Sequence, residues 1–278
     1  MAKKKKKISK KRKKKSGKLK YFVWAAIVAA TVFVAISNVA KRKIVILYNV
    51  CCVALEKINN TTFNEKHFGI KIPNGYGVHG IDVSKWQRKI NWAEVAAARP
   101  DEPCISFAFI KASEGKTLSD RYFSYNMENA RKNGVICGAY HYYKPNVNSA
   151  EQAKNFISLV DLQKGDLPPV LDIEEESPYG NENMRKGIKN WLQLVEKQYG
   201  MKPIIYTSNS FHKDFLSGDD FKDYPFWIAH YYKKNIKTTS KWIFWQHSDK
   251  ACVNGIYGNV DMNVFNGNLE SLKQLCKK

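Results

Sequence analysis

Between Val78 and Phe265 the chain keeps changing its hydrophobic period. Short apolar or alternating runs, the pattern of strands, fall at 79–84, 105–112, 135–143, 168–174, 203–208, 226–231, 242–248 and 259–265. Between several of them the period lengthens to that of amphipathic helices, at about 120–133, 149–161 and 182–199. Gly134 ends the first of these helices; Gly200, followed by Pro203, ends the last. Such alternation predicts a mainly parallel sheet. Eight strand segments predict an α/β fold, a modified and irregular (β/α) TIM-like barrel. Beyond residue 226 the connections are too short for full helices, so the last quarter is expected to be poor in helix. A doubly wound open sheet is the alternative, but no G-x-G-x-x-G follows the first strand.

The N-terminal pattern is different. Residues 21–40 (YFVWAAIVAATVFVAISNVA) hold no charge and are long enough to span a bilayer as one helix. Tyr21 and Trp24 stand at its lysine-rich end, where aromatic side chains favour the interface. The predicted organisation is a basic cytoplasmic tail (1–20), a transmembrane anchor (21–40), a juxtamembrane linker (41–75) and a catalytic body (76–278). By the positive-inside rule the tail stays cytoplasmic and the body lies on the periplasmic or extracellular side. A cleaved signal peptide is the rival, but SNVA followed by KRK is a poor cleavage site. The apolar run Ile44 to Leu55 is too short to span.

Charge changes the picture less than its total suggests. The net charge is +21, yet residues 1–43 carry sixteen Lys/Arg and no acid, which leaves +5 on the rest. The basic block lacks interleaved aromatics, so no nucleic-acid partner is expected. The six cysteines form no C-x-x-C pair. A Cys104–Cys137 disulfide and buried thiols both remain open. There is no H-E-x-x-H, and His79 with Asp82 is a poor metal pair, so no metal site is expected. No G-x-S-x-G elbow occurs either.

Carboxylates near strand ends are the candidate chemistry: Asp82, Asp172, Glu174 and Asp261. On a strand, Asp172 and Glu174 share a face, and two acids that close raise each other's pKa. One proton held near neutral pH is what a general acid for glycosidic cleavage requires. A surface acidic cluster is the other reading, because Glu175 and Glu176 follow directly. Trp86, Tyr140, Tyr142, Tyr206, Trp227 and Trp245 lie on or just after strands, where they could stack on sugar rings or fill a core. Gln87, His141, Gln246 and His247 could hydrogen-bond hydroxyl or acetamido groups. Lys111 could form a Schiff base, or line the pocket paired with Glu114.

These segments resemble the family 25 glycoside hydrolases, lysozymes of the Chalaropsis and phage-endolysin type. The resemblance rests on H-G-I-D-V-S-K-W-Q (79–87), F-I-K-A-S-E-G (109–115), G-A-Y-H-Y-Y (138–143), P-V-L-D-I-E (169–174), I-I-Y-T (204–207), F-W-I-A-H-Y (226–231), W-Q (245–246) and V-D-M-N (260–263). It implies cleavage of the β-1,4 bond between N-acetylmuramic acid and N-acetylglucosamine, with peptidoglycan as the partner and no metal or organic cofactor; a monomer is expected, although the sequence does not fix the oligomeric state. It implies that Glu174 is the general acid/base. Asp172 would orient the substrate's acetamido group during retention, or a carboxylate would attack directly. Asp82 and Asp261 match the family's remaining acids, with Trp86, Lys111, Tyr140, His141, Tyr206, Trp227 and Gln246 expected to bind substrate. The expected rivals are a non-catalytic glycan-binding module and a basic membrane protein acting on nucleic acid.

Overall fold

The computed structural model describes residues 67–99, 102–233, 235–236 and 241–278. The basic block, the expected anchor and the linker up to residue 66 lie outside the described residues. Among the described residues, no helix is long and apolar enough to cross a membrane.

Nine strands are present among the described residues: β1 (His79–Val83), β2 (Ile105–Glu114), β3 (Leu118–Ser119), β4 (Ile136–Tyr142), β5 (Val170–Asp172), β6 (Ile204–Ser208), β7 (Phe226–Ala229), β8 (Trp242–Ala251) and β9 (Val260–Phe265). β1, β2, β4, β5, β6, β7 and β8 pair in parallel, each with the next. β9 runs antiparallel between β8 and β1 and closes the ring, giving an eight-stranded barrel. β3 is a short hairpin partner of β2 outside the ring. The helices are α1 (Trp92–Val95), α2 (Phe123–Lys132), α3 (Ser149–Leu159), α4 (Asn181–Tyr199), α5 (Asn209–Phe211) and α6 (Leu269–Leu275). α2 to α4 fall where the period predicts them. α1, α5 and α6 are too short to show a period.

Side-chain alternation divides the barrel wall. Ile81, Ala108, Ile110, Leu171, Ile205 and Ile228 face outward into the layer shared with the helices. Phe107, Phe109, Val170, Ile204, Trp227, Phe244 and Phe265 point inward. Phe109 stacks on Trp227 at 4.6 Å and meets Phe244 edge-on at 5.1 Å, so the lower barrel is filled rather than hollow. Two glycines make room: a Cβ on Gly80 would stand 2.5 Å from the Phe107 ring, and one on Gly138 would stand 2.6 Å from Phe109. α6 adds Leu269 and Leu272 to this inner cluster, with Cys276 just past its end, and closes the end opposite the C-termini of the parallel strands.

The helix-poor quarter is covered by the chain just before β1. Phe68 is buried, its carbonyl accepts the N–H of Cys252 at 2.9 Å, and Tyr76 packs on Trp242 and Trp245 at 6.0 and 5.9 Å. Residues 67–75, read from sequence as the end of a linker, thus pack on the body because the outer faces of β8 and β9 have no helix to bury them. Cys137 is a free, buried thiol whose S–H donates to the Val135 carbonyl, so the Cys104–Cys137 bond is not formed.

Candidate active site

The mouth of the barrel collects the inward residues one step above the aromatic filling. Asp82 stands near the end of β1, Asp172 ends β5, Tyr206 lies on β6 and Gln246 on β8. Asp261 sits at the start of β9. It reaches the same mouth because β9 runs the other way, where the sequence pattern suggested the end of a parallel strand. The motif Ser84-Lys85-Trp86-Gln87 closes a capping box. Trp86 N donates to Ser84 Oγ (3.4 Å) and Ser84 N to Gln87 Oε1 (3.0 Å). That turn leaves Trp86 exposed at the rim, and Gln87 is committed to holding it.

A buried polar network converges on Asp82. The Trp227 indole can only donate, so Asn263 turns its Oδ1 to it (2.7 Å) and its Nδ2 to Asp82 Oδ2 (2.7 Å). Gln246 does the same: its Oε1 accepts from Tyr206 (2.6 Å) and Tyr231 (2.7 Å), and its Nε2 donates to Asp82 Oδ2 (2.8 Å). Two N–H donors on one oxygen suit an ionised carboxylate. Burial pushes Asp82 up to about 6, against those two hydrogen bonds and with the charge of Glu174. Asp261 faces Asp82 in the β1–β9 register and is pushed up to about 8, first by burial and then by the charge of Asp82. Both amide donors lie on Asp82, so a proton held by this pair is favoured on Asp261.

Asp172 is buried, and burial followed by the charge of Glu174 raises its pKa well above the usual carboxylate range, while Lys111 opposes. Its Oδ1 is buried and has no hydrogen-bond partner among the described residues. Ile173 turns outward into the helix layer. Glu174 lies just past the strand, open at the rim. Limited hydration there still raises its pKa, with a Tyr206 hydrogen bond and the Lys111 cation opposing and Glu175 adding to it. The mutual elevation expected for the pair holds for Asp172; for Glu174 the acid that matters is Glu175. Burial holds Tyr140 and Tyr206 well above the ordinary tyrosine range, so both keep their protons.

Lys111 donates to Glu114 at 2.8 Å and lies over the Tyr142 ring at 4.6 Å, the paired-lysine arrangement rather than a free amine. His141 is not part of the mouth. A register shift in β2 places it opposite Ser113, and it points outward, bonded to Ser113 Oγ (2.7 Å) and Gln152 Oε1 (3.2 Å) and stacked on Trp191. Burial lowers it to about 4, so it is a neutral packing residue. His247 and Trp245 are likewise buried away from the mouth, their rings in contact at 5.9 Å. Asn263 and Tyr231 belong to the site although sequence reasoning did not select them. Asn263 follows Asp261 by two residues on a strand, which was a legible signal. Tyr231 ends the 226–231 run in phase with Trp227 and Ala229, so it too was legible, although the observed strand stops at Ala229. Among the described residues no cluster of three or more His, Cys, Asp or Glu could hold a metal ion.

A closed β/α barrel here gathers acids and aromatics at one mouth, an arrangement suited to cleaving a glycosidic bond. Residues 81–256 match the glycosyl hydrolases family 25, and the chain belongs to that family. It is 48% identical to the protein YegX of Escherichia coli (strain K12) over 209 residues, covering 75% of this chain and 76% of that one. It is 37% identical to lysozyme M1 of Streptomyces globisporus, covering 72% and 71%. Among solved structures, the bacterial lysozyme of Streptomyces coelicolor aligns with a TM-score of 0.66 at 36% identity, covering 73% of this chain and 99% of that one. The family 25 glycosyl hydrolase of Bacillus anthracis aligns with a TM-score of 0.67 at 30% identity, covering 77% and 99%.

Proposed function

We propose that this chain is a lysozyme that hydrolyses peptidoglycan between N-acetylmuramic acid and N-acetylglucosamine, with retention of configuration. The observation that carries the reading is the pairing of roles at the mouth. Glu174 is open to the rim with a raised pKa, which suits protonation of a leaving oxygen. Asp172 offers a buried oxygen without a partner. A substrate acetamido N–H would satisfy that oxygen, and an acetamido group so held is placed to attack its own anomeric carbon. The bond from carbon to the leaving oxygen breaks as the bond to the acetamido oxygen forms, Glu174 gives its proton to the leaving oxygen, and water then opens the ring intermediate with Glu174 as base. The lysozyme names of the relatives agree with this substrate.

Digestion of purified peptidoglycan by the full chain, followed in real time by proton NMR, tests the reading. New reducing ends on N-acetylmuramic acid, appearing first as the β-anomer, are expected. Ends on N-acetylglucosamine would overturn the bond assignment, and the α-anomer appearing first would overturn retention. The uncharged run 21–40 after a lysine-rich tail supports a membrane anchor with the body outside the cytoplasm. Protease protection of intact cells against spheroplasts tests that placement.

A further inference from the structure

One rim of the mouth carries a second constellation, outside the acids and the network on Asp82. Its two aromatic side chains, Trp86 and Tyr257, are 76% and 80% exposed and exceed every other large apolar side chain among the described residues. Each lies beneath a cation: Lys85 stands 5.3 Å from the Trp86 ring and Arg88 stands 5.6 Å from Tyr257. Lys89 covers Tyr125 in the same way at 4.9 Å. Elsewhere in the body Lys111, Arg131, Lys144 and Arg185 are paired with carboxylates. Lys85, Arg88 and Lys89 make no ion pair among the described residues, as several other surface lysines do not; what sets them apart is their clustering on this rim, where a nearby carboxylate, Asp120, accepts the Lys85 backbone N–H (2.6 Å).

This rim is built rather than loose. Arg88 holds φ 59°, a left-handed conformation that costs a non-glycine residue and persists only where its surroundings fix it. The fixing residue is Asn126 on α2, which is 1% exposed. Its Nδ2 donates to the Arg88 carbonyl (2.8 Å), and its Oδ1 accepts from Ile90 N and Trp92 Nε1, both at 3.2 Å. The loop is also tied to the β8–β9 connection that carries Tyr257. Gln87 Nε2 donates to the Asn259 carbonyl (3.2 Å), and Asn91 N donates to the Gly255 carbonyl (2.9 Å). Gly255 has φ 88°, and a Cβ there would stand 2.4 Å from the Asn91 carbonyl oxygen, so this approach admits only glycine.

Three unpaired cations on a rigid aromatic rim define a site for an anionic chain. We propose that Lys85, Arg88 and Lys89, with Tyr257, bind the carboxylate-bearing peptide that branches from muramic acid in the substrate. This rests on the peptidoglycan reading above. The distances are of the same order: Arg88 lies six residues beyond Asp82, at most about 20 Å along the chain, and an extended peptide of about five residues spans about 17 Å. The peptide is favoured over wall phosphodiesters because it is joined to the sugar being cleaved, so the two contacts reinforce each other.

The test uses the full chain and its R88A/K89A variant on two substrates: peptidoglycan freed of other wall polymers, and the same glycan stripped of peptides by an amidase. The expected result is a loss of about five- to ten-fold in kcat/KM confined to the peptide-bearing glycan. Activity on the stripped glycan should be unchanged, and the wild-type preference should fade with added salt. Equal losses on both substrates, or none on either, would overturn the proposal, as would a deficit seen only on walls that retain phosphodiester polymers. A wild-type chain that cleaves neither glycan would instead overturn the peptidoglycan reading itself.

Discussion

The two ends of the barrel interior are built from the same strands yet solve opposite problems. The lower end places Phe107, Phe109, Trp227 and Phe244 against one another, with glycines at 80 and 138 admitting the rings. The upper end gathers Asp82, Asp172 and Gln246, each two residues beyond an inward residue (Gly80, Val170 and Phe244) of its strand, together with Asn263 and Asp261, which precede Phe265 on the antiparallel β9. There, burial raises the pKa of Asp82, Asp172 and Asp261. The comparison teaches that stability and chemistry share strands but are separated by height. The aromatic plug offsets what the buried acids cost, and it holds the network on Asp82 through Trp227, which stacks on Phe109 and donates to Asn263, and through Tyr206, which packs on Trp227 and donates to Gln246.

Four substitutions would break or sharpen that contrast. Asp172→Asn is expected to lower kcat by about 10²- to 10³-fold while the protein stays folded, because the acetamido group loses the carboxyl group that orients it; steady-state kinetics beside a melting curve checks both halves. Phe109→Ala is expected to cost about 3–5 kcal/mol of stability. Urea denaturation reads that loss, and kcat at a temperature where the variant is folded should move far less. Asp261→Asn is expected to raise the melting temperature by a few degrees at pH 8. The folded acid keeps its proton up to about 8, whereas the unfolded one loses it near the usual carboxylate value. The unfolded state thus binds fewer protons in that interval, and wild-type stability falls as pH rises through it. The variant should show a flatter melting temperature from pH 4 to 8. Lys111→Met removes the cation that favours ionised Glu174 and Asp172, so the alkaline limb of kcat/KM should move to higher pH.

Much of this was legible in the sequence where a regular period carried it. Eight of the nine strands and α2 to α4 follow hydrophobic spacing, and Asp82, Asp172, Tyr206, Trp227 and Gln246 all fall on inward phases of their strands. What the period could not show was direction and exception. Nothing in V-D-M-N distinguishes an antiparallel β9 from a parallel one, yet its direction brings Asp261 to the mouth. The shift in β2 pairs Ser113 with His141, and Gln152 on α3 completes a polar contact that only the tertiary fold reveals. A histidine between two tyrosines of a strand thereby becomes a packing residue. Tyr231 joins the site from just beyond the observed end of β7, still in phase with Trp227 and Ala229.

The most direct test of the central claim is a paired measurement on Glu174→Gln: release of reducing ends from purified peptidoglycan, and the melting temperature of the same preparation. The account predicts a loss of about 10³-fold or more in cleavage with an unchanged or slightly raised melting temperature. Cleavage near the wild-type rate by the folded variant would contradict it, and would move the chemistry away from the mouth described here.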